Sequence, residues 1–436
     1  MKKITIYLSF LCSTFTAIAQ QTPAPEQTQT ILIMGGTAHL GNGTVVENSL
    51  ISIKDGKIAS ISDGTFAKPA KHDIVIDAYG KHIYPGFIAP NATLGLVEVD
   101  AVRASDDVRE IGEMNPHIRS IIAYNSESLI TETARPNGVL LAQITPRGGR
   151  ISGTSSVVQL DAWNWEDAAI KTDDGIHLNW PRSYSRGGWW AEPGSIEANK
   201  NYDNQLKDIQ DFFDNSKAYH SNKPKLKDIP LEAMKGLLEG TKTLYIHADG
   251  EKEIRDALLF KTKNNITKMT IIGGYYAYKV ADLLKSNGVS VLLKRVHALP
   301  LLEDEDVNLP YKNAKMLVEA GVLTALQNEG EMERMQVRNL PFYAGTCAAW
   351  GLDKEIALQL ITLNAAKILG IDALYGSLEA GKSATLFISE GDALDMKTNN
   401  LVAAFIDGRI ISLGNRQNEL YERYKGKYKL AKKNKK

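Results

Sequence analysis

Cysteine is nearly absent from this 436-residue chain, which contains only Cys12 and Cys347. Two thiols cannot build the dense disulfide framework of a small secreted scaffold, so the fold must rest on a hydrophobic core. An excess of charge of one sign is also missing, because 51 Lys and Arg residues balance 51 Asp and Glu residues. No overall field therefore draws the chain to nucleic acid, and we expect no nucleic-acid partner.

The apolar run near the N-terminus is too short to be a typical membrane span. Lys2 and Lys3 precede this run, which covers residues 4–18 and is followed by a polar stretch. Residues 1–19 therefore have the form of a secretory signal peptide, and residues 20–30 that of a flexible leader. We expect an exported protein, periplasmic or extracellular, with no membrane insertion after the signal is cleaved.

Short strands and turns occupy both ends of the remaining chain. Residues 31–84 contain several such strands, two of them joined at Asp55-Gly56, which is a strong hairpin signal. Residues 375–412 contain strands of the same kind. We predict one small β-sandwich assembled from both chain ends. Residues 413–436 follow as a Lys-rich tail, which we expect to be solvated.

Residues 85–374 alternate short apolar strands with helical stretches, a pattern that predicts an α/β fold. The simplest such fold of this length is a TIM-like (β/α)8 barrel of parallel strands. The eighth strand is not clear from the sequence, and the seven recognisable ones cover residues 82–88, 139–144, 156–160, 243–247, 269–272, 289–293 and 322–326.

Residues 162–230 interrupt this alternation and carry five of the six tryptophans. The segment is either a surface insertion with a few buried aromatic side chains or a lid over the barrel mouth. The five tryptophans are Trp163, Trp165, Trp180, Trp189 and Trp190.

Several segments resemble, in order, the imidazolonepropionase-like branch of the amidohydrolase superfamily. Tyr84-Pro85-Gly86-Phe87-Ile88 looks like the entry to the first barrel strand of that family. Residues 339–345 and 357–370 resemble its closing helices, 376–382 its return to the sandwich and 406–409 its last hairpin. The resemblance spans nearly the whole chain after the leader, and it implies a barrel with a composite β domain.

The resemblance also implies a divalent metal, usually zinc, at the C-terminal mouth of the barrel. Its usual ligands are a His-x-His pair on the first strand, one His each on the fifth and sixth strands, and an Asp on the eighth that also serves as general base. In this chain Asn91 and Thr93 stand at the first-strand positions, and Gly273 at the sixth-strand position. Asn328 stands at the general-base position, and His247 is the one ligand retained.

No local pair of histidines replaces the missing ligands. No two of the eight histidines are two, three or four residues apart, so neither a strand nor a helix presents a two-His clamp. His297 follows a barrel strand and, together with Glu329, is a candidate for binding a substrate at the mouth; a hydrogen-bonded structural role is the alternative for His297. A rebuilt metal site with oxygen ligands from Glu329, Glu331, Asp249 and Glu251 stays open.

Amide and hydroxyl oxygens are weak substitutes for imidazole and carboxylate, so we expect no tightly bound zinc, although the resemblance allows a divalent metal. One function implied is an exported hydrolase of non-peptide carbon–nitrogen bonds, in cyclic amides or peptide-like small molecules. The other is a non-catalytic barrel that binds a small ligand or pairs with an active amidohydrolase relative or with itself. A third, weaker interpretation is a polysaccharide- or peptide-binding module that uses the tryptophans.

Overall fold

The computed structural model describes residues 22–65, 71–189, 192–222, 226–330 and 332–428. The predicted signal peptide and the end of the predicted basic tail lie outside the described residues. The strands are β1 (Ile31–His39), β2 (Val45–Lys54), β3 (Lys57–Asp63), β4 (Ile74–Asp77), β5 (His82–Pro85), β6 (Phe87–Ala92), β7 (Val139–Ile144), β8 (Ile151–Gln159), β9 (Ala169–Asn179), β10 (Tyr184–Trp189), β11 (Glu192–Ala198), β12 (Thr243–Ala248), β13 (Met269–Gly273), β14 (Ser290–Leu293), β15 (Thr324–Leu326), β16 (Leu386–Ser389), β17 (Leu401–Ile406) and β18 (Arg409–Ile411).

The α-helices are α1 (Trp165–Ala168), α2 (Tyr202–Asn222), α3 (Ile229–Ala233), α4 (Lys235–Leu238), α5 (Glu251–Asn264), α6 (Ala281–Ser286), α7 (Leu309–Glu319), α8 (Glu333–Gln336), α9 (Leu340–Ala349), α10 (Lys354–Gln359), α11 (Leu363–Leu369) and α12 (Arg416–Lys427). Short 3-10 turns cover Arg103–Ser105, Ser120–Ala123, Thr131–Thr133, Arg135–Asn137, Ala277–Val280 and Val337–Asn339. Among the described residues, no helix combines the length and apolarity needed to cross a bilayer.

Strands from both chain ends form one sheet, in the order β18-β17-β16-β5-β1-β2-β3, with β4 paired to β1. Its turn between β2 and β3 is the expected Asp55-Gly56 hairpin, where φ is positive at both residues, at 50° and 75°, as a type I′ turn requires. One face of the sheet buries a cluster of isoleucines, including Ile33, Ile51 and Ile53. This shared core explains why segments more than 300 residues apart fold together.

A second sheet of eight strands, in the order β6-β7-β8-β9-β12-β13-β14-β15, curls into a TIM-like barrel, which confirms the predicted fold class. The prediction of parallel strands throughout is wrong at β8, which runs antiparallel to both β7 and β9. The physical reason is the short link between β7 and β8, since a parallel crossover needs a dozen or more residues. The edge strands β6 and β15 are joined through residues 360–361: Ile88 donates to the carbonyl of Ile361 and Leu326 to that of Leu360.

The strand that sequence analysis did not find is β9, which lies inside the predicted insertion 162–230. Its first half, Ala169 to Asp174, is too polar to read as a barrel strand, and only Ile176 and Leu178 mark it as buried. The insertion therefore begins after Asn179, and consists of the β10–β11 hairpin, α2 and the segment that leads to β12.

Alternation along the barrel strands separates an apolar layer from a polar one. The apolar layer lies deep in the barrel against α11 and contains Ile88, Leu141, Val157, Tyr245, Ile272, Leu292 and Ala325. Two residues farther toward the mouth, strand side chains point inward again. On five of these strands the next inward position is polar: Gln143, Ser155, His247, Lys294 and Gln327. The sequence pattern therefore places a polar layer directly beneath the barrel mouth.

The part of the predicted leader that the structure describes makes hydrogen bonds to the barrel and to the sheet. The Ala24 amide donates to the Asp161 carboxylate (2.9 Å), and the Ala24 carbonyl accepts from Arg409 (3.1 Å). Farther along, Gln27 accepts from the Gly56 amide (2.7 Å). Asp161 is buried and also pairs with Arg135 (2.8 Å) and with Arg409 (3.0 Å), so barrel, leader and β18 meet at one carboxylate.

Candidate active site

A cavity of about 430 Å³ opens at the C-terminal mouth of the barrel. Its charged and aromatic lining includes Trp180, Arg182, His247, Asp249, Lys294 and Glu329. Mixed charges in a cavity of this size suit a small polar molecule.

His247 leaves the end of β12 and connects the cavity with the barrel interior. Its Nε2 lies 3.0 Å from Nδ1 of His177 on β9, and its Nδ1 lies 3.6 Å from the Glu329 carboxylate. The His247 side chain is only 11% exposed, whereas Glu329 is 35% exposed. One imidazole nitrogen therefore faces a buried partner and the other faces the cavity side.

The Glu329 carboxylate lies among groups that favour its charged form. Burial acts to raise its pKa, but His247, Arg147 and Lys294 together hold the pKa well below the usual glutamate range. Asn91 Nδ2 also donates to Glu329 Oε2 (2.9 Å), which favours the charged form. Glu329 is therefore an anion at the edge of the cavity. A carboxylate with so low a pKa is a weak general base.

A buried hydrogen-bond network supports the His247 ring from below. His177 Nε2 lies 2.9 Å from Ser155 Oγ, and Ser155 donates to the Asp174 carboxylate (2.7 Å). Asp174 also accepts from Gln143 (2.8 Å) and from Tyr245 (2.8 Å). Burial raises the pKa of Asp174, and burial together with neighbouring positive charge holds the pKa of His177 well below its usual value.

Glycine at position 175 permits this arrangement. A Cβ there would lie 2.3 Å from the Tyr245 ring, which packs over the backbone of β9. The same ring stacks on His177, with centroids 4.7 Å apart and an interplanar angle of 15°. Tyr245 therefore fixes the plane of His177 as well as hydrogen-bonding to Asp174.

At the first-strand position, Asn91 is occupied by protein partners. Arg147 donates to its side-chain oxygen (3.1 Å) and to its backbone carbonyl (2.8 Å), and pairs with Glu333 (3.1 Å). The φ angle of Asn91 is 53°, in the left-handed region that asparagine tolerates better than most residues. A guanidinium against the Asn91 oxygen repels any cation that would bind there.

The other positions implied by the family pattern are structural. Thr93 is buried, and its hydroxyl has no hydrogen-bond partner among the described residues. Gly273 has a φ of 96°, and a Cβ there would lie 2.6 Å from Asp249 Oδ1, so a histidine cannot replace it without displacing that carboxylate. Asn328 accepts from the Tyr343 hydroxyl (2.7 Å) and donates to the backbone of Glu333, and so anchors the loop after β15.

His297 is not brought to the cavity, whose described lining does not include it. Its Nε2 lies 2.7 Å from the Thr346 hydroxyl, and its ring packs edge-on against Tyr343. Of the carboxylates considered for a rebuilt metal site, Asp249 pairs with Lys294 (2.7 Å) and Glu251 with Arg255 (2.9 Å). Glu331 lies outside the described residues.

These donors do not fit a tightly held divalent cation. Within the described part of the chain, no three His, Cys, Asp or Glu side chains are grouped so that they could hold a metal ion. One nitrogen of His247 is hydrogen-bonded to His177, and the side-chain oxygen of Asn91 accepts a hydrogen bond from Arg147. Zinc requires three or four nitrogen, sulfur or carboxylate donors, and the facing pair of His247 and Glu329 supplies two.

The residues that surround His247 were not predicted from the sequence; they are Gln143, Arg147, Ser155, Asp174 and His177. Only one local signal marked any of them: His177 stands between Ile176 and Leu178, where a polar side chain inside a buried strand calls for a hydrogen-bond partner. The partners come from other strands, so no sequence spacing relates them.

Comparison with known proteins agrees with this architecture. Residues 231–411 match the model of the amidohydrolase family. An imidazolonepropionase of Flavobacterium psychrophilum is 29% identical over 112 residues, 24% of this chain and 27% of that protein. A 5-methylthioadenosine/S-adenosylhomocysteine deaminase of Bacillus cereus is 24% identical over 78% of this chain and 80% of that protein.

Among solved structures, an amidohydrolase from Thermotoga maritima superposes with a TM-score of 0.73 at 22% identity, covering 88% of this chain and 99% of that one. At this identity the superposition speaks for the fold alone. The family match and the similar enzymes agree with the motifs found in the sequence: residues 231–411 of this chain match the amidohydrolase family, and a longer stretch, 78% of the chain, is similar to a deaminase.

Proposed function

We propose that the chain is an exported hydrolase of carbon–nitrogen bonds in small cyclic amides or peptide-like molecules. The observation that carries this proposal is the placement of His247 beside Glu329 in the cavity of about 430 Å³ at the barrel mouth. The match of residues 231–411 to the amidohydrolase family supports the reaction class, and the export part rests on the form of residues 1–19.

The cavity supplies the groups that such a reaction needs. His247 Nδ1 takes a proton from water as the water oxygen attacks the carbonyl carbon, and then gives that proton to the departing nitrogen. Glu329, 3.6 Å away, stabilises the imidazolium that forms between these steps. Lys294, which also pairs with Asp249, lines the same cavity and is a cation that could stabilise the developing oxyanion. Because the donors do not fit a metal, no step here is routed through one.

The test is a hydrolysis assay of the purified chain on a panel of cyclic amides, N-acyl amino acids and dipeptides. His247→Ala should lower kcat/KM by about 10²- to 10⁴-fold, the usual contribution of general acid–base catalysis. His220→Ala on α2 is the matched control and should leave kcat/KM unchanged, since that ring bonds to the Leu231 carbonyl away from the cavity. Stoichiometric zinc or manganese that disappears together with activity in His247→Ala would overturn the metal-free roles.

A second candidate is a non-catalytic barrel that binds a small ligand or pairs with an active relative. Arg147 favours it, because its guanidinium donates to Asn91, the residue that stands at one of the metal-ligand positions of the family pattern. The same preparation decides between the two. A chain that hydrolyses no member of the panel, but binds one of them by calorimetry or co-purifies with a second barrel protein, supports the non-catalytic candidate.

A further inference from the structure

Six residues form a ring around the polar layer of the barrel, in which five links are hydrogen bonds and the sixth is a longer contact between His247 and Glu329. The Asn91 backbone amide donates to Gln143 Oε1 (3.0 Å), and Gln143 Nε2 lies 3.2 Å from Ser155 Oγ. From Ser155 the hydrogen bonds continue through His177 to His247, and Glu329, 3.6 Å from His247 Nδ1, accepts from the Asn91 side chain (2.9 Å). We call this set, Asn91, Gln143, Ser155, His177, His247 and Glu329, the polar ring.

The direction of each bond in the polar ring can be worked out from its fixed donors. The backbone amide of Asn91 is a donor, so the Gln143 oxygen must face it and the Gln143 NH₂ group must face Asp174 and Ser155. Ser155 has one proton and lies 2.7 Å from the Asp174 carboxylate, its strongest acceptor. The Ser155 oxygen is then left to accept from His177.

The histidine protons follow from this. If His177 carries its proton on Nε2, facing Ser155, then its Nδ1 is an acceptor and must receive the proton on His247 Nε2. His247 Nδ1 is then the free nitrogen, and it faces Glu329 and the cavity.

We propose that Gln143, Ser155, Asp174 and His177 are positioning residues that hold His247 in the Nε2–H tautomer, with Nδ1 presented to the cavity. The effect on catalysis rests on the proposed function, whereas the tautomer does not. The reversed strand β8 is what brings Ser155 under His177, because Gly153 of β8 is in register with His177 and Ser155 with Gly175.

The first readout is the tautomer itself, measured by ¹⁵N NMR of the full chain labelled at histidine, with assignments from single His→Gln variants. We expect Nε2–H on both His177 and His247 in the wild type. Ser155→Ala removes the acceptor for His177, so His177 is free to carry its proton on Nδ1, and the proton on His247 moves to Nδ1. Ser120→Ala is the matched control, a buried serine of the same barrel that bonds only to backbone carbonyls.

The second readout is kinetic. Ser155→Ala should lower kcat by about 10- to 100-fold, as loss of a supporting hydrogen bond does around an active group, with KM unchanged. Asp174→Asn is the second variant, for the case in which Ser155→Ala does not fold. A wild-type His177 protonated on Nδ1, or a His247 tautomer that is the same in both variants and the wild type, would overturn the inference. The expected tautomers in a chain without hydrolytic activity would leave the inference standing and remove the proposed function.

Discussion

Asp161 and Asp174 are both buried aspartates, 3% and 2% exposed, yet they have opposite kinds of partner. Asp161 lies between two guanidinium groups, Arg135 and Arg409. Asp174 accepts only from neutral donors of the barrel interior. Asp161 is held by two ionic pairs and by the Ala24 amide, whereas Asp174 is linked through hydrogen-bonded imidazole rings to the cavity at the barrel mouth. Asp161, between cations, therefore joins separate parts of the chain. Asp174, among neutral donors, instead helps to position the histidine side chains below the cavity.

The largest effect is expected from breaking the ionic cluster. Asp161→Ala leaves Arg135 and Arg409 without their carboxylate and should lower the free energy of unfolding by about 3–5 kcal/mol, measured by urea denaturation. Lys207→Ala, which breaks an exposed pair with Asp211, is the control and should leave the urea midpoint unchanged. A loss for Asp161→Ala no larger than that of the control would mean that the cluster does not join leader, barrel and β18.

A substitution of Glu329 tests the network that leads to the cavity, where this carboxylate lies at the cavity edge. Glu329→Gln keeps the size of the side chain and removes the charge that faces His247 and Lys294. We expect kcat/KM, or ligand affinity if the barrel is non-catalytic, to fall by about 10- to 100-fold, because a hydrogen bond to a charged group is worth about 1.5–3 kcal/mol. The urea midpoint should change little. If the variant lost stability but kept full activity, Glu329 would hold the fold together, as Asp161 does, and would have no role in the cavity.

A smaller, pH-dependent effect is expected at Asp174. Its folded-state pKa is raised above 3.8, mainly by burial, so the folded chain holds this proton more tightly than the unfolded chain. The resulting contribution to stability is complete below the unfolded pKa and is lost as pH rises through the folded one. The unfolding free energy of the wild type minus that of Asp174→Asn should therefore fall as pH rises from about 4. Both proteins would be unfolded in urea across this pH range. A free-energy difference that grew with rising pH would contradict a raised pKa of Asp174.

The smallest effect, none at all, is expected from restoring the family's first-strand motif. Asn91→His with Thr93→His should leave the purified protein without stoichiometric zinc by elemental analysis. Position 91 keeps its φ of 53° and its neighbour Arg147, and Gly273 still offers no ligand on the sixth strand. Adding Arg147→Ala to the pair is the informative control. If the double variant bound zinc tightly without the Arg147→Ala change, the missing histidines, and not the arrangement around Arg147, would explain the weak metal binding.

Local chemistry made much of the fold predictable. The Asp55-Gly56 turn, the apolar strands and the family-like segments from Tyr84 onward each carry their signal within a few residues. The direction of β8 and the existence of β9 were not predictable in this way, because β9 begins with a polar stretch and β8 differs from its neighbours only in the length of the link before it. Strand direction depends on connections, which hydrophobic periodicity does not encode.

The site was predictable only where the family pattern marked it. Of the positions singled out, His247, Asp249, Gly273 and Glu329 line the cavity, and Asn91 lies in the polar ring. His297 was predicted to lie at the mouth only because it follows a strand. In the structure its ring is hydrogen-bonded to the Thr346 hydroxyl instead. Arg147 carried no signal, since an arginine in a polar loop is usually solvated, and its contact with Asn91 joins residues 56 apart in the chain.

The reversed strand has a consequence for how the barrel is built in time. β7, β8 and β9 form an antiparallel meander whose connections are local, whereas the parallel strands pair only across long crossovers. Contacts between near neighbours in sequence form with less loss of chain entropy than distant ones, so we expect this meander to be ordered early in folding. Ser155 and His177 would then be in contact before β12 pairs with β9, and His247 would pack against a hydrogen-bonded pair that has already formed.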